Sequence, residues 1–248
     1  MHTAGIDLSS QDARTATCVL EWSSGAAHVA ELRVGVSDGD LTALIGRVDK
    51  TGIDVPLGWP VAFAEAVAQH GRDGSWPEEY RHADTLAVRY RRTDLMLWAT
   101  LKGSPPLSVS TDKIALPAMR AAALISRLAE PAPLDGTGIV VEAYPAAALR
   151  RWELPSRGYK RLEHAAARHE LIDLFGALTS GWLQLEGETL ELCRSSDDAF
   201  DAVIAALIAR AAALGLVEPI PEAERAAARR EGWIALPLAG SLAHLAGP

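Results

Sequence analysis

The chain has 248 residues, 49% of them hydrophobic, with 24 basic side chains against 32 acidic ones and a formal net charge of −8. That length and apolar content support one sizeable core, while the acidic balance excludes a protein that coats duplex nucleic acid nonspecifically, because such binding is mostly counterion release by Lys and Arg. Cys18 and Cys193 lack metal-ligand spacing and read as reduced core thiols, and no signal-like leader or run of about 18 apolar residues is present, so a cytoplasmic enzyme without a membrane partner is expected.

Residues 3–9 predict a strand with Asp7 set inside an apolar run. A carboxylate there must be paired, hydrogen-bonded or bound to a cation. Residues 14–22 and 27–36 predict two more strands joined by a turn at Ser23, Ser24 and Gly25, which makes a three-stranded antiparallel meander. Apolar residues at 41, 44, 45 and 48 share one helix face, with Ser37 or Asp38 placed to cap it. A short buried strand over 52–55 then carries Asp54 and is ended by Pro56, Gly58 and Pro60.

The next clear strand, 138–143 with Glu142, arrives about eighty residues later. A mainly helical insertion at about 57–137, within a single domain of 1–248, is therefore expected. Helices are predicted over 61–70, 83–101 and 117–128, the last starting with a proline suited to a first turn. Between Arg81 and Arg127 lie eight basic residues and three acids (Asp84, Asp94 and Asp112), a local surplus of +5, with Tyr90 and Trp98 interleaved. This pattern suits phosphate contact plus base stacking, and equally a solvated helix face with Trp98 in the core. A second basic run, from Arg150 through Arg151, Arg157, Lys160 and Arg161 to Arg168, could flank the same cleft.

Helices over 145–152 and 160–178 and a polar segment over 183–191 lead to a last long helix at 196–214, apolar nearly all round as a helix lying on a sheet must be. Its first turns carry Asp197, Asp198 and Asp201. Capping and dipole complementarity account for the first two, with Asp197 as the expected cap. Asp201 lies one turn further in, where a charge gains less. Asp198 and Asp201 share a face and repel each other unless a cation lies between them. Residues 232–237 predict a closing strand or a core contact by Trp233, and 241–248 read as a frayed tail. No phosphate-cradling glycine loop and no Cys/His ligand pair competes with these acids, which points to a carboxylate-lined site for a hard divalent cation.

Six segments in this order resemble one known family: Gly5-Ile6-Asp7-Leu8, residues 53–60, Arg92-Thr93-Asp94, residues 141–145, residues 197–202, and Glu231-Gly232-Trp233-Ile234. Together they are similar to the predicted RNase H-like nucleases of domain-of-unknown-function family 429, over nearly the whole chain. The resemblance implies an α/β, RNase H-like fold: a mixed five-stranded sheet that opens with three antiparallel strands, helices on both faces, and acids on the first strand, a later strand and the final helix. RuvC-like resolvases are similar in placing acids three apart on that helix. The implied chemistry is hydrolysis of nucleic-acid phosphodiesters at a site of two Mg²⁺ or Mn²⁺ ions. In that frame Asp7 bridges the metals, Asp54 and Glu142 add ligands from strands, Asp198 and Asp201 add ligands from the helix, and Arg92, oriented by Asp94, touches substrate. Two alternatives stand beside it. One is a non-catalytic RNase H-like module that binds nucleic acid or protein. The other, a phosphotransferase of the sugar-kinase and actin-like ATPase type, also begins with a Gly-Ile-Asp strand but needs a second glycine-rich phosphate-binding strand pair, which this sequence lacks.

Overall fold

A computed structural model describes residues 1–82, 85–102 and 105–247; Ala83, the counted acid Asp84 and Pro248 of the tail lie outside the described residues. The chain opens with β1 (His2–Asp7), β2 (Ala16–Ser23) and β3 (Ala26–Val34), the predicted meander, followed by α1 (Asp38–Ile45) and β4 (Lys50–Asp54). Ser37 caps α1 in a capping box, its Oγ accepting from Asp40 N while the Asp40 carboxylate accepts from Ser37 N. Helices α2 (Val61–Asp73), α3 (Leu86–Arg89), α4 (Arg92–Leu101) and α5 (Ala115–Ile125) precede β5 (Val140–Ala143). After it come α6 (Pro145–Arg151), α7 (Ala165–Thr179), β6 (Leu183–Gln184), α8 (Gly187–Ser195), α9 (Asp197–Ala213) and α10 (Arg225–Glu231).

Several local expectations are corrected. The single helix predicted to Leu101 is two, because extended backbone at Tyr90 and Arg91 interrupts it and Arg91 N donates to Asp94 Oδ2 to start α4 afresh. The helix predicted from residue 160 starts at Ala165, because Arg168 holds the carbonyls of Tyr159 and Arg161 in an irregular strap and Leu162–His164 is a 3-10 turn. The polar segment at 183–191 holds β6 and the start of α8. Ser196, not Asp197, caps α9, its Oγ accepting from Ala199 N at 3.2 Å. The expected tail is anchored: Ser241–His244 forms a short 3-10 turn, Leu242 and Leu245 are buried, and Ser241 Oγ accepts from Trp152 Nε1. Near the chain's end, Trp233 is buried, and residues 232–237 contribute only isolated bridges, Ile234 to Glu142 and Pro237 to Val217.

The sheet is mixed and runs β5-β4-β1-β2-β3-β6, the five expected strands plus a two-residue sixth at one edge. β1, β2 and β3 are antiparallel neighbours, whereas β4 runs parallel to β1 and β5 parallel to β4. One face packs Ile6, Val19 and Ile53 under α1 and α5; the other packs Cys18, Leu20 and Val141 under α9. Both cysteines are buried free thiols. Among the described residues no helix is long and apolar enough to cross a membrane.

Helix α9 is the centre of the second face, and every residue from Ala199 to Ala211 is buried. It lies directly on the strands because Gly5 and Gly52, paired in register across β1 and β4, carry no side chain. A Cβ on Gly5 would sit 1.9 Å from Ala202 O and 2.3 Å from Ala206 N, and one on Gly52 would sit 2.3 Å from Ala205 O. This close approach sets the start of α9 against the strand ends.

Candidate active site

The pleat makes residues two apart on a strand point to the same face. Gly5 and Gly52 face α9, so Asp7 and Asp54, two residues further on, leave the same face at the ends of their strands. They are also in register with each other. The first turns of α9 lie beside them and supply Asp201, which is fully buried, and Asp198, which is mostly buried. The sequence thus puts a glycine where the helix must touch and an aspartate where the helix begins.

One ammonium serves this group. Lys160 Nζ lies 2.6 Å from Asp201 Oδ2, while 49% of the Lys160 side chain is exposed, so the stem runs along the surface and the charged end turns inward. Asp201 Oδ1 accepts a 2.8 Å hydrogen bond from the Tyr159 hydroxyl, whereas Oδ2 has no hydrogen-bond partner among the described residues and meets Lys160 as an ion pair. Among the described residues Asp198 pairs only with Arg14, at 3.6 Å.

The electrostatic balance is therefore negative, and it shows in the proton affinities. Burial, and then the Asp54 and Asp201 carboxylates, hold Asp7 well above the ordinary aspartate range, with Lys160 opposing. Burial pushes Asp54 up to about 7 against the pull of Lys160, and Asp201 adds to the rise. Asp198 is raised by burial and by Asp197 beside it. The pairing with Asp201 raises Lys160 well above its ordinary value, which keeps the ammonium charged. Carboxylates crowded into a partly dry site shift in this direction.

The strap between α6 and α7 that presents Lys160 is fastened on both sides of it. Tyr159 is buried and meets Phe200 edge to face, with ring centroids 6.2 Å apart. The buried Arg168 guanidinium donates to the carbonyls of Tyr159 and Arg161, and to Arg194 O at the end of α8. Arg161 takes a left-handed backbone (φ 75°), and its N–H donates to Asp197 Oδ2.

Glu142 and Asp94 belong to a different group. Glu142 is in register with Ile53, one residue short of Asp54, so it leaves the opposite face of the sheet. Both its oxygens are taken by Arg91, at 2.7 Å each, and Oε2 also accepts from Leu57 N. Asp94 grips the same guanidinium from the other side at 2.9 and 3.1 Å. All three are buried. Burial works against the Arg91 charge, but Glu142 and Asp94 outweigh it and raise the guanidinium above its ordinary value. The arginine that Asp94 orients is thus Arg91. Its neighbour Arg92 points outward to Glu224, at 2.5 and 2.8 Å.

Of the residues singled out in the sequence, Asp7, Asp54, Asp198 and Asp201 come together; Glu142 and Asp94 surround Arg91, and Arg92 stands apart. Lys160, Tyr159 and Arg91 complete the picture. A cleft of about 370 Å³ runs between the two groups and is lined by Asp7, Asp54, Lys160, Arg91, Asp94 and Glu142. Among the described residues no three His, Cys, Asp or Glu side chains stand close enough to hold a metal ion as they are placed. An adjoining hollow of about 160 Å³ shares Tyr144 and Pro106 with the cleft and adds Trp98 and Arg157. Half of the insertion's eight basic side chains pair with acids of the same chain: Arg81 with Glu78, Arg91 with Asp94 and Glu142, Arg92 with Glu224, and Arg120 with Asp12 and Asp38.

A family model described as "Protein of unknown function (DUF429)" matches residues 5–226, so the chain belongs to that family. No curated protein and no solved structure matches it.

Proposed function

We propose that this member of the DUF429 family is a divalent-metal-dependent nuclease that hydrolyses phosphodiester bonds in nucleic acid. The observation that carries the reading is the convergence of four carboxylates, from β1, β4 and α9, around a single ammonium at one end of the sheet. Asp7, Asp54, Asp198 and Asp201 are the residues that would hold Mg²⁺ or Mn²⁺. The donor set fits: it is all carboxylate oxygen, the type hard ions prefer, and it includes the buried Asp201 Oδ2 without a hydrogen bond. A bound ion of this kind supplies Lewis-acid polarisation of a phosphate oxygen and a water of lowered pKa.

The chain's own residues do the positioning. Two adjacent strands fix Asp7 and Asp54 side by side, and the buried helix fixes Asp201 against them. The Arg91 group walls the other side of the cleft, with every oxygen of Glu142 and Asp94 hydrogen-bonded. Trp98 and Tyr144 offer aromatic faces in the adjoining hollow, where Arg157 forms no ion pair among the described residues; this combination suits an unpaired base and its phosphate. Such local contact is compatible with a net charge of −8.

Lys160 is the observation that favours the second reading, a non-catalytic RNase H-like module whose acids are permanently partnered by the lysine. Mn²⁺ calorimetry on the wild type and on Asp7→Asn, followed by a cleavage screen over single-stranded, duplex and branched nucleic acids, separates the two. Binding that Asp7→Asn abolishes, with cleavage only in the presence of metal, is the expected result. Absence of Mn²⁺ binding at millimolar concentration in the wild type, with nucleic acid present, overturns the nuclease reading.

A further inference from the structure

We infer that the Lys160 side chain is a displaceable internal counter-ion: its ammonium occupies the place among Asp7, Asp54 and Asp201 that a divalent cation takes, and it swings into solvent when the cation binds. The inference rests on the proposed cation site and adds to it how the site is kept before loading.

Three features of the chain support the exchange. The contact between Nζ and Asp201 Oδ2 is close but not directional, since that oxygen has no hydrogen-bond partner among the described residues. An ion pair without hydrogen-bond geometry resists substitution by another cation less than a fully hydrogen-bonded one does. Next, half of the lysine stem is already exposed, so the ammonium reaches water by rotation about its own side-chain bonds. Finally, the backbone on either side is fastened. Tyr159 stays on Asp201 through its hydroxyl, and Arg168 holds the carbonyls of Tyr159 and Arg161. The exchange is therefore a motion of one side chain, with the strap and α9 unmoved.

Charge supplies the direction. A single ammonium leaves the carboxylates under-compensated, and among the described residues no three of them stand close enough to ligate one ion as they are placed. A divalent cation brings twice the charge and draws the oxygens inward, whereas the ammonium and the cation repel each other and do not share the space.

Two measurements at pH 8 test this. Limited acetylation of the wild type, read by mass spectrometry at each of the four lysines, compares protein in EDTA with protein saturated by Mn²⁺. Lys160 should label about tenfold faster with Mn²⁺, while Lys102 and Lys113, both exposed, serve as unchanged references. Calorimetry on Lys160→Met should show Mn²⁺ binding tightened by about tenfold. Mn²⁺ binding by the wild type with unchanged Lys160 labelling overturns the exchange and leaves the metal site standing. Absence of Mn²⁺ binding in both proteins overturns the metal reading and the exchange together. Should Lys160→Met fail to fold, the wild-type labelling decides alone.

Discussion

Asp94 and Glu142 hold Arg91 through four hydrogen bonds of 2.7–3.1 Å, whereas across the end of the sheet Asp7, Asp54, Asp198 and Asp201 share Lys160 and a distant Arg14. Both groups are rich in carboxylate, line one cleft and sit at strand ends. They differ in balance. Around Arg91 each carboxylate meets the guanidinium in bidentate fashion, and Glu142 and Asp94 also accept from backbone N–H groups, so the group ties α4, β5 and the segment after β4 together. In the other group, among the described residues, Asp7 and Asp54 form no ion pair, Asp201 Oδ2 has no hydrogen bond, and the acids repel one another. The lesson is that the acids proposed to bind a cation are the ones whose hydrogen bonding is incomplete, whereas the fully hydrogen-bonded group ties elements of the fold together.

The sharpest way to break this comparison is to remove the cation from the complete group. Arg91→Met leaves two buried carboxylates without a partner and should cost about 3–5 kcal/mol in urea unfolding. Asp7→Asn, which relieves repulsion in the incomplete group, should leave the metal-free protein as stable as the wild type or more so. Equal losses in the two variants would erase the distinction between scaffold and site.

A somewhat smaller effect is expected from Gly5→Ala, about 3 kcal/mol, because the added methyl meets the backbone of α9 and the helix must shift. The shift carries Asp201 away from Asp7 and leaves the Arg91 group in place. Mn²⁺ affinity should therefore fall along with stability, measured by calorimetry on whatever fraction folds. Unchanged affinity would show that the glycine contact does not set the acid geometry.

The smallest expected effect is a pH dependence. Asp54 is raised to about 7 in the folded chain, so between its ordinary unfolded value and pH 7 the folded state binds a proton that the unfolded state releases. The stability from this proton is full below about pH 4 and is lost as pH rises through 7. Between pH 5 and 8 the metal-free wild type should lose on the order of 2 kcal/mol through this group. Asp54→Asn should lose less, and saturating Mg²⁺ should restore the wild type at pH 8. Urea midpoints at the two pH values check it; an identical loss in Asp54→Asn would place the titration elsewhere.

The meander, the return strand and the apolar last helix were legible because each has a clear period and clear stops. The acids on β1, β4 and α9 were legible because a charge in an apolar run needs a reason. A stronger sign was also present: Gly-Ile-Asp occurs twice, at 5–7 and at 52–54, and the fold lays the two copies side by side in register. Glu142 was harder to place. Its strand has four residues, all buried, so no alternation tells which face each side chain leaves. The choice between Arg91 and Arg92 turned on one residue of helix start, set by a side chain bonding its own backbone. Lys160 lies in a strap without period, more than a hundred residues from Asp7 and Asp54, and only tertiary contacts bring its ammonium home.

Helix α9 is enclosed on nearly all sides, and its first residue is number 197 of 248. The strands it covers are made at the other end of the chain. As the polypeptide leaves the ribosome, the glycine-bearing face of β1 and β4 must wait for some 140 residues of later sequence before it can be covered. Long-range closure of this kind slows folding and prolongs the exposure of unpaired apolar surface. Chains that stop short of α9 therefore leave that face of the sheet uncovered.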